Sequence, residues 1–154
     1  MIREVFSEDE VSYHNILDTT QPVDRTGISS FHSRKLGLAS STRFSYAVRN
    51  IFRFQIPPTL NLPHPYTLID KKILDALSGP NLQRSPQVDE LTELMRRSRG
   101  VITLSRVGFD EHMEHALVYA ELTYCGLCGE GTYLYLSKEA GQWRIVGRAG
   151  TWIS

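Results

Sequence analysis

The fold is decided by residues 101–109, whose sequence VITLSRVGF alternates apolar and polar side chains and is rich in β-branched residues. Such alternation is typical of a β-strand with one buried face. Three further stretches of the same character follow at 115–124, 132–136 and 143–147, and the turn Lys138-Glu139-Ala140-Gly141 joins the last two. Because the connections are short, the four stretches are predicted to pair as an antiparallel meander.

A first helix is predicted near the start of the chain. The run Ser7-Glu8-Asp9-Glu10 has the pattern of a helix capping box. Val11, Ile16 and Leu17 continue the apolar side of this segment. We therefore expect a helix that ends before Pro22.

A second helix is predicted from Arg43 onward. Its apolar side chains follow helical spacing and are Phe44, Val48, Ile51 and Phe52. Arg43, Arg49 and Arg53 fall on or near the other face. This is the pattern of an amphipathic helix, so we expect the apolar side to face the core and the arginines to face solvent.

The region between this helix and the sheet begins with a connector that contains four prolines, residues 55–66. Proline removes backbone donors and forces extended geometry, so no helix is expected there. Tyr66 to Ile69 is predicted to form a short strand, and Asp70 to cap a brief helix that follows it. Ser85-Pro86 is a second helix start signal, and Gly100 should close that helix.

These elements predict an α+β fold, in which N-terminal helices pack on one face of a C-terminal antiparallel four-stranded meander. The 154 residues are expected to form a single globular domain. Within it, residues 1–42 form a poorly defined N-terminal helix and loop, residues 43–99 a helical layer with the proline-rich connector, and residues 101–154 the antiparallel sheet.

The composition restricts the classes of partner. The chain holds 17 basic and 17 acidic residues, so it lacks the overall basic excess that is typical of proteins that bind nucleic acids or anionic membranes. No apolar run approaches the ~18 residues of a membrane span. We therefore expect an unknown small molecule or protein as partner, with no nucleic acid and no membrane span. The oligomeric state is left open.

The charges are nevertheless unevenly distributed along the chain. Residues 1–24 contain one arginine and six acidic residues, whereas residues 25–69 contain six basic residues and no acidic one. The acidic segment can lie against its basic neighbour, the basic surface can bind an anionic ligand or an acidic partner, or the charges can be a scattered solvated surface. The second of these alternatives places the ligand over Arg43, Arg49 and Arg53.

The most distinctive segment is Cys125-Gly126-Leu127-Cys128-Gly129-Glu130-Gly131, which lies between two predicted strands. Its cysteines are separated like the ends of a tight turn, so a disulfide between Cys125 and Cys128 is geometrically allowed. The alternatives are structural thiols, redox catalysis and metal binding. A redox motif of the thioredoxin type would need a helix start, and that context is missing here. The candidate binding residues are Arg106, Cys125, Cys128 and Glu130.

No catalytic or metal-binding set of residues is predicted. His112 and His115 could supply zinc ligands together with the two cysteines. A continuous strand over residues 115–124 would place the two pairs roughly 30 Å apart, which excludes a shared tetrahedral site. Ser105 lies in no nucleophile motif. We therefore predict no metal, no cofactor and no catalytic residue.

The C-terminal third resembles an uncharacterised family of bacterial proteins. The resemblance rests on residues 104–109, 116–119, 125–131 and 138–143 and on the closing Trp152-Ile153-Ser154. The proline-rich stretch from Leu60 to Ile69 is also similar, so that the resemblance covers about 60% of the chain. It implies a bacterial source and no established activity.

Two hypotheses for the function follow. The first is a non-enzymatic module that binds a ligand or a protein, because the architecture is well marked while catalytic spacing is missing. The alternative is a small enzyme, a hydrolase or a thiol redox protein, with a pocket around the turn from Cys125 to Cys128. The location is expected to be cytoplasmic for the sequence as given, or periplasmic if a signal peptide has been removed.

Overall fold

The computed structural model describes residues 14–22, 28–60, 62, 65–77, 86–98, 100–124 and 128–154. The helices are α1 (Ser30–Lys35), α2 (Ser40–Arg49), α3 (Lys71–Leu77) and α4 (Pro86–Arg97). The strands are β1 (His14–Leu17), β2 (Tyr66–Ile69), β3 (Val101–Leu104), β4 (Gly108–Phe109), β5 (His115–Thr123), β6 (Gly129–Glu139) and β7 (Gln142–Ile153).

All seven strands belong to one mixed sheet. Its order is β2-β1-β3-β5-β6-β7, and the short strand β4 also pairs with β5. The N-terminal strand β1 is parallel to both of its neighbours, β2 and β3. All other pairs are antiparallel. Helices α1 and α2 connect β1 to β2, and α3 and α4 connect β2 to β3, as parallel pairing requires a long crossover.

The predicted fold class is therefore wrong. The antiparallel strands β3, β5, β6 and β7 do follow one another in chain order, but they are part of a larger mixed sheet. The helices are not an N-terminal layer on a four-stranded meander, because they alternate along the chain with the strands β1, β2 and β3.

Residues 14–17 were predicted to be part of a first helix, and this is where the predicted fold departs from the structure. They form the strand β1, and all four residues are buried. Ile16 is paired with Leu68 on one side and with Ile102 on the other. The strand is buried on both faces although His14 and Asn15 are polar, so apolar and polar side chains do not alternate along it. Periodicity therefore cannot distinguish this short segment from a helix. Residues 1–13 lie outside the described part of the chain.

The orientation of α2 was also predicted incorrectly. Its buried residues are Thr42 and Tyr46, and Asn50 directly after it is fully buried. The apolar side chains expected in the core are instead exposed: Phe44, Val48, Ile51 and Phe52. The helix lies so close to β4 that a Cβ atom at Gly108 would overlap the backbone of Tyr46. In addition, the Ser45 hydroxyl accepts a hydrogen bond from the Phe109 N–H at 3.1 Å.

Other local predictions are confirmed. Tyr66 to Ile69 form a strand, and Asp70 accepts a hydrogen bond from the Lys72 N–H at the start of α3. The helix α4 begins at Pro86. In the proline-rich connector, none of the described residues is helical. None of the helices in the described ranges is long and apolar enough to cross a membrane.

The core lies on both faces of the sheet. On the face that α1 and α2 cover, Tyr46 packs with Leu117, Tyr119 and Tyr133. On the opposite face, alternate residues of the same strands form a second cluster of Ala116, Val118, Leu134 and Leu136. The alternation along β5 and β6 therefore gives each face its own apolar layer.

We predict that the substitution Gly108→Ala destabilises the protein by about 1–3 kcal/mol, because the new methyl group would overlap the backbone of α2. The matched control is Gly150→Ala, where an added Cβ meets no atom within 4 Å. Urea denaturation measures both free energies of unfolding. Equal values for the two variants would contradict the close approach of α2 to β4.

Candidate functional site

A cavity of about 330 Å³ lies between the end of β3 and the segment that follows α2. Its lining is mainly apolar, with one charged side chain, and consists of Thr20, Phe54, Gln55, Ile56, Pro57, Leu60, Leu104, Ser105 and Arg106. Its volume is at the lower end of the range for small-molecule sites in proteins. Of the four candidate binding residues predicted from the sequence, Arg106 is in this described lining.

The cavity owes its shape to a bulge between β3 and β4. Leu104 pairs with Ala120, and the next pair is Gly108 with Leu117. Residues 105–107 therefore lie opposite only residues 118 and 119 of β5. One extra residue on one strand of an antiparallel pair is a β-bulge. Within it, the Ser105 hydroxyl accepts a hydrogen bond from the Tyr119 N–H at 2.8 Å. The bulge moves the backbone of Arg106 out of register with β5.

Asn50 satisfies the backbone groups that the bulge displaces. Its Oδ1 accepts a hydrogen bond from the Arg106 N–H at 2.7 Å, and its Nδ2 donates to the Arg106 carbonyl oxygen at 3.0 Å. The same Nδ2 donates to the carbonyl oxygen of Tyr46 at 2.8 Å. The Asn50 amide therefore pairs with Arg106 as a neighbouring strand would, and it fastens the C-terminal end of α2 to the bulge. We call these contacts the Asn50 clamp.

The Arg106 side chain lies at the cavity with its guanidinium carbon 3.7 Å from the centre of the Phe54 ring. This is the geometry of a cation–π contact. Its Nη1 donates to the Arg49 carbonyl oxygen at 3.1 Å. Among the residues that the structure describes, no carboxylate pairs with this guanidinium. A guanidinium carries five N–H donors, so donors remain for a bound anion.

The opposite wall is the segment from Phe54 to Pro57. Thr20 and Phe54 exchange two hydrogen bonds, since the Thr20 N–H donates to the Phe54 carbonyl oxygen and the Phe54 N–H to the Thr20 hydroxyl. Ile56 donates its N–H to the carbonyl oxygen of Asp18. The wall is thus held as an extra strand-like segment beside the residues that follow β1.

The described part of the lining is mainly apolar, with hydroxyl groups and one guanidinium. Among the residues that the structure describes, it contains no histidine, cysteine, aspartate or glutamate, which are the usual general acids and bases. Its hydroxyls are already engaged, because Thr20 accepts from Phe54 and Ser105 donates to the Arg106 carbonyl oxygen at 3.0 Å. The arrangement can hold an apolar group with an anion at its mouth.

The other predicted site residues lie elsewhere. Glu130 is exposed on β6, where it pairs with Leu122 and Ile153. It is on the far side of β5 from Arg106, so these two candidates do not form one site. Cys128 is disulfide-bonded, and its carbonyl oxygen accepts from the Tyr124 N–H. Cys125 lies outside the described residues, so the pairing of the two cysteines stays a prediction.

The glycines beside Cys128 serve close packing. Neither Gly129 nor Gly131 has a positive φ angle, so a left-handed backbone conformation is not the reason for glycine at either position. A Cβ at Gly131 would instead overlap the Tyr119 hydroxyl and the indole nitrogen of Trp152. Trp152 Nε1 donates to that hydroxyl at 2.9 Å. Burial is the main cause that raises the pKa of Tyr119, so its phenol is neutral at physiological pH.

The candidate histidines are part of a surface turn. His115 Nδ1 lies 2.9 Å from Asp110 Oδ2, and Asp110 Oδ1 accepts the N–H groups of Glu114 and His115. Burial acts to raise the pKa of the Asp110 carboxyl, but these hydrogen bonds outweigh it and hold that pKa below its usual value. In the described ranges, no group of three or more histidine, cysteine or acidic side chains is arranged to hold a metal ion.

Comparison with family models, with curated proteins and with solved structures gives no match to this chain. The resemblance of the C-terminal third to a bacterial family therefore stays a prediction. One sequence signal for the site is Phe52-Arg53-Phe54, in which an arginine lies between two aromatic residues directly before the proline-rich connector.

We predict that Asn50→Ala lowers the free energy of unfolding by roughly 1–3 kcal/mol, because it leaves the Arg106 N–H without its acceptor and removes one donor each from the carbonyl oxygens of Arg106 and Tyr46. The matched control on the same face of α2 is Thr42→Val, since the buried Thr42 hydroxyl has no hydrogen-bond partner among the residues that the structure describes. Chemical denaturation should show this control to be neutral or stabilising. A loss below about 1 kcal/mol for Asn50→Ala would contradict the clamp.

We also predict a pH-dependent effect of Asp110→Asn. A carboxyl whose pKa is lowered by folding stabilises the folded state above its unfolded pKa, near 3.8. That contribution is lost as the pH falls through the folded pKa. Asp110→Asn should therefore destabilise the protein at pH 7, and the difference from the wild type should disappear under strongly acidic conditions. The control is Glu111→Gln in the same turn; a difference for Asp110→Asn that is independent of pH would contradict this account.

Proposed function

We propose that the protein is a non-enzymatic binding module whose cavity takes a small amphipathic ligand, with an apolar part inside and an anionic group on Arg106. The observation that carries this proposal is the Arg106 guanidinium stacked on Phe54 beside an apolar cavity. A carboxylate, sulfonate or phosphate bound there would form charge-assisted hydrogen bonds, which are about twice as strong as neutral ones.

Two features support recognition of an anion in particular. The arginine is held in place before any ligand arrives, because its backbone is fastened by Asn50 and its side chain rests on Phe54 and the Arg49 carbonyl. Preorganisation of this kind reduces the entropic cost of binding. In addition, the described lining contains no carboxylate, and the neighbouring Asp18 carboxylate already accepts hydrogen bonds from Gln55 Nε2 at 3.0 Å and from the Lys71 N–H at 3.2 Å.

The alternative hypothesis is an enzyme with a pocket around the turn from Cys125 to Cys128, which has a different test. If the cysteines are structural, alanine at both positions should lower stability and leave cavity binding intact. Hydrolase or thiol oxidoreductase turnover by the wild-type protein that is lost in this variant would support the enzyme and overturn the binding module.

Isothermal titration calorimetry with octanoate, 1-octanol and octylammonium tests the proposal, since the three probes share a chain and differ in head-group charge. We expect the wild type to bind octanoate at least tenfold more tightly than the other two, as one charge-assisted contact of ~1.5–3 kcal/mol implies. In Arg106→Gln the preference should vanish, whereas Arg106→Lys should keep part of it. Arg144→Gln, on β7, is the matched control and should bind like the wild type.

Thermal denaturation of each variant shows whether it is folded. Equal affinity for the three probes in the wild type, or a preference for octanoate that survives in folded Arg106→Gln, would overturn the proposal. A fall in affinity for all three probes in Phe54→Ala, without loss of the preference, is the expected signature of the apolar wall.

A further inference from the structure

The outward side of α2 and the residues after it carry four large apolar side chains, which we call the α2 ridge. Their exposed fractions are 72% for Phe44, 49% for Val48, 56% for Ile51 and 73% for Phe52. Phe44 and Val48 are four positions apart and share one side of α2, and Ile51 and Phe52 follow the helix, which ends at Arg49. Large apolar side chains clustered in solvent in this way are typical of an interaction site.

The fold holds the ridge in this position. The opposite side of α2 is fixed by the Asn50 clamp, by the contact of Tyr46 with Gly108 and by the hydrogen bond from Phe109 to Ser45. Rotating the helix to bury the ridge would break these contacts and bring polar groups out of the core. The exposure of the ridge is thus a consequence of how α2 is attached.

The charged residues of α2 and of the segment directly after it are all basic. Arg43, Arg49 and Arg53 are exposed beside it, and the sequence from residue 25 to residue 69 contains no acidic residue. A second copy of the chain docked ridge to ridge would bring these arginines together, and like charges in an interface are unfavourable. The net charge of the whole chain is zero, so this local excess of positive charge is not evident from the composition.

The shape and the charge together fit one kind of partner. The ridge is the convex side of a helix, so it suits a broad surface into which side chains can insert. Helices that lie in the interface of an anionic membrane typically combine large apolar side chains with neighbouring arginine or lysine. The ridge has this composition. We propose that the α2 ridge docks the protein on an anionic lipid surface, with its apolar side chains inserted and its arginines on the lipid phosphates.

Vesicle co-sedimentation tests this inference. We expect binding to vesicles of phosphatidylcholine with about one third phosphatidylglycerol and at least tenfold weaker binding to pure phosphatidylcholine, with a further loss at high salt. Ile51→Ser should weaken binding by about tenfold or more, while the matched Ile153→Ser on β7, where the isoleucine is 82% exposed, should not. Arg53→Gln should reduce binding about fivefold, and its control Arg144→Gln should not.

Three results would overturn the inference. They are no binding to anionic vesicles, equal binding to neutral and anionic vesicles, and wild-type binding by Ile51→Ser. A fourth contrary result would come from light scattering. If the wild type is a dimer and Ile51→Ser is a monomer, a second copy of the chain covers the ridge. None of the ridge residues lines the cavity, so the ridge variants should bind octanoate normally and the two proposals can fail separately.

Discussion

One buried amide holds the end of α2 to the bulge that lines the cavity. The side chain of Asn50 is paired with both backbone groups of Arg106 and with the carbonyl oxygen of Tyr46. Such groups are costly to bury without partners, so the bulge after β3 depends on this residue. A helix end and a strand irregularity that are 56 residues apart in the sequence are thereby fixed relative to each other.

Two surfaces follow from this constraint. On one side, the bulge and the segment after α2 leave the apolar cavity with the Arg106 guanidinium beside it. On the other side, the attachment of α2 through Tyr46 and Asn50 leaves Phe44, Ile51 and Phe52 exposed. Both proposals therefore call for a partner that combines an apolar part with a negative charge, because each surface places arginine beside apolar side chains.

The sequence predicted local structure better than the arrangement of the elements. The strands β3, β5, β6 and β7 and the starts of α3 and α4 follow from alternation and capping, which depend on neighbouring residues. The strand at residues 14–17 was missed because it is buried on both faces. The buried side of α2 was misjudged because hydrogen bonds of Asn50 and Ser45, and the space at Gly108, outweigh its apolar pattern. Arg106 was named as a candidate binding residue and lines the cavity, and that role stays a prediction. Its stacking on Phe54 depends on tertiary structure and could not be read from the sequence.

The central claim is that the cavity beside Arg106 binds an apolar anion. Two-dimensional NMR of the Arg106 guanidinium and of backbone amides during titration with octanoate tests it most directly. The account predicts saturable shifts of the Arg106 Nε–H signal and of amides at residues 54–56 and 104–106, with little change near Glu130. Shifts confined to the segment around Cys128 and Glu130, with an unchanged Arg106 signal, would contradict it.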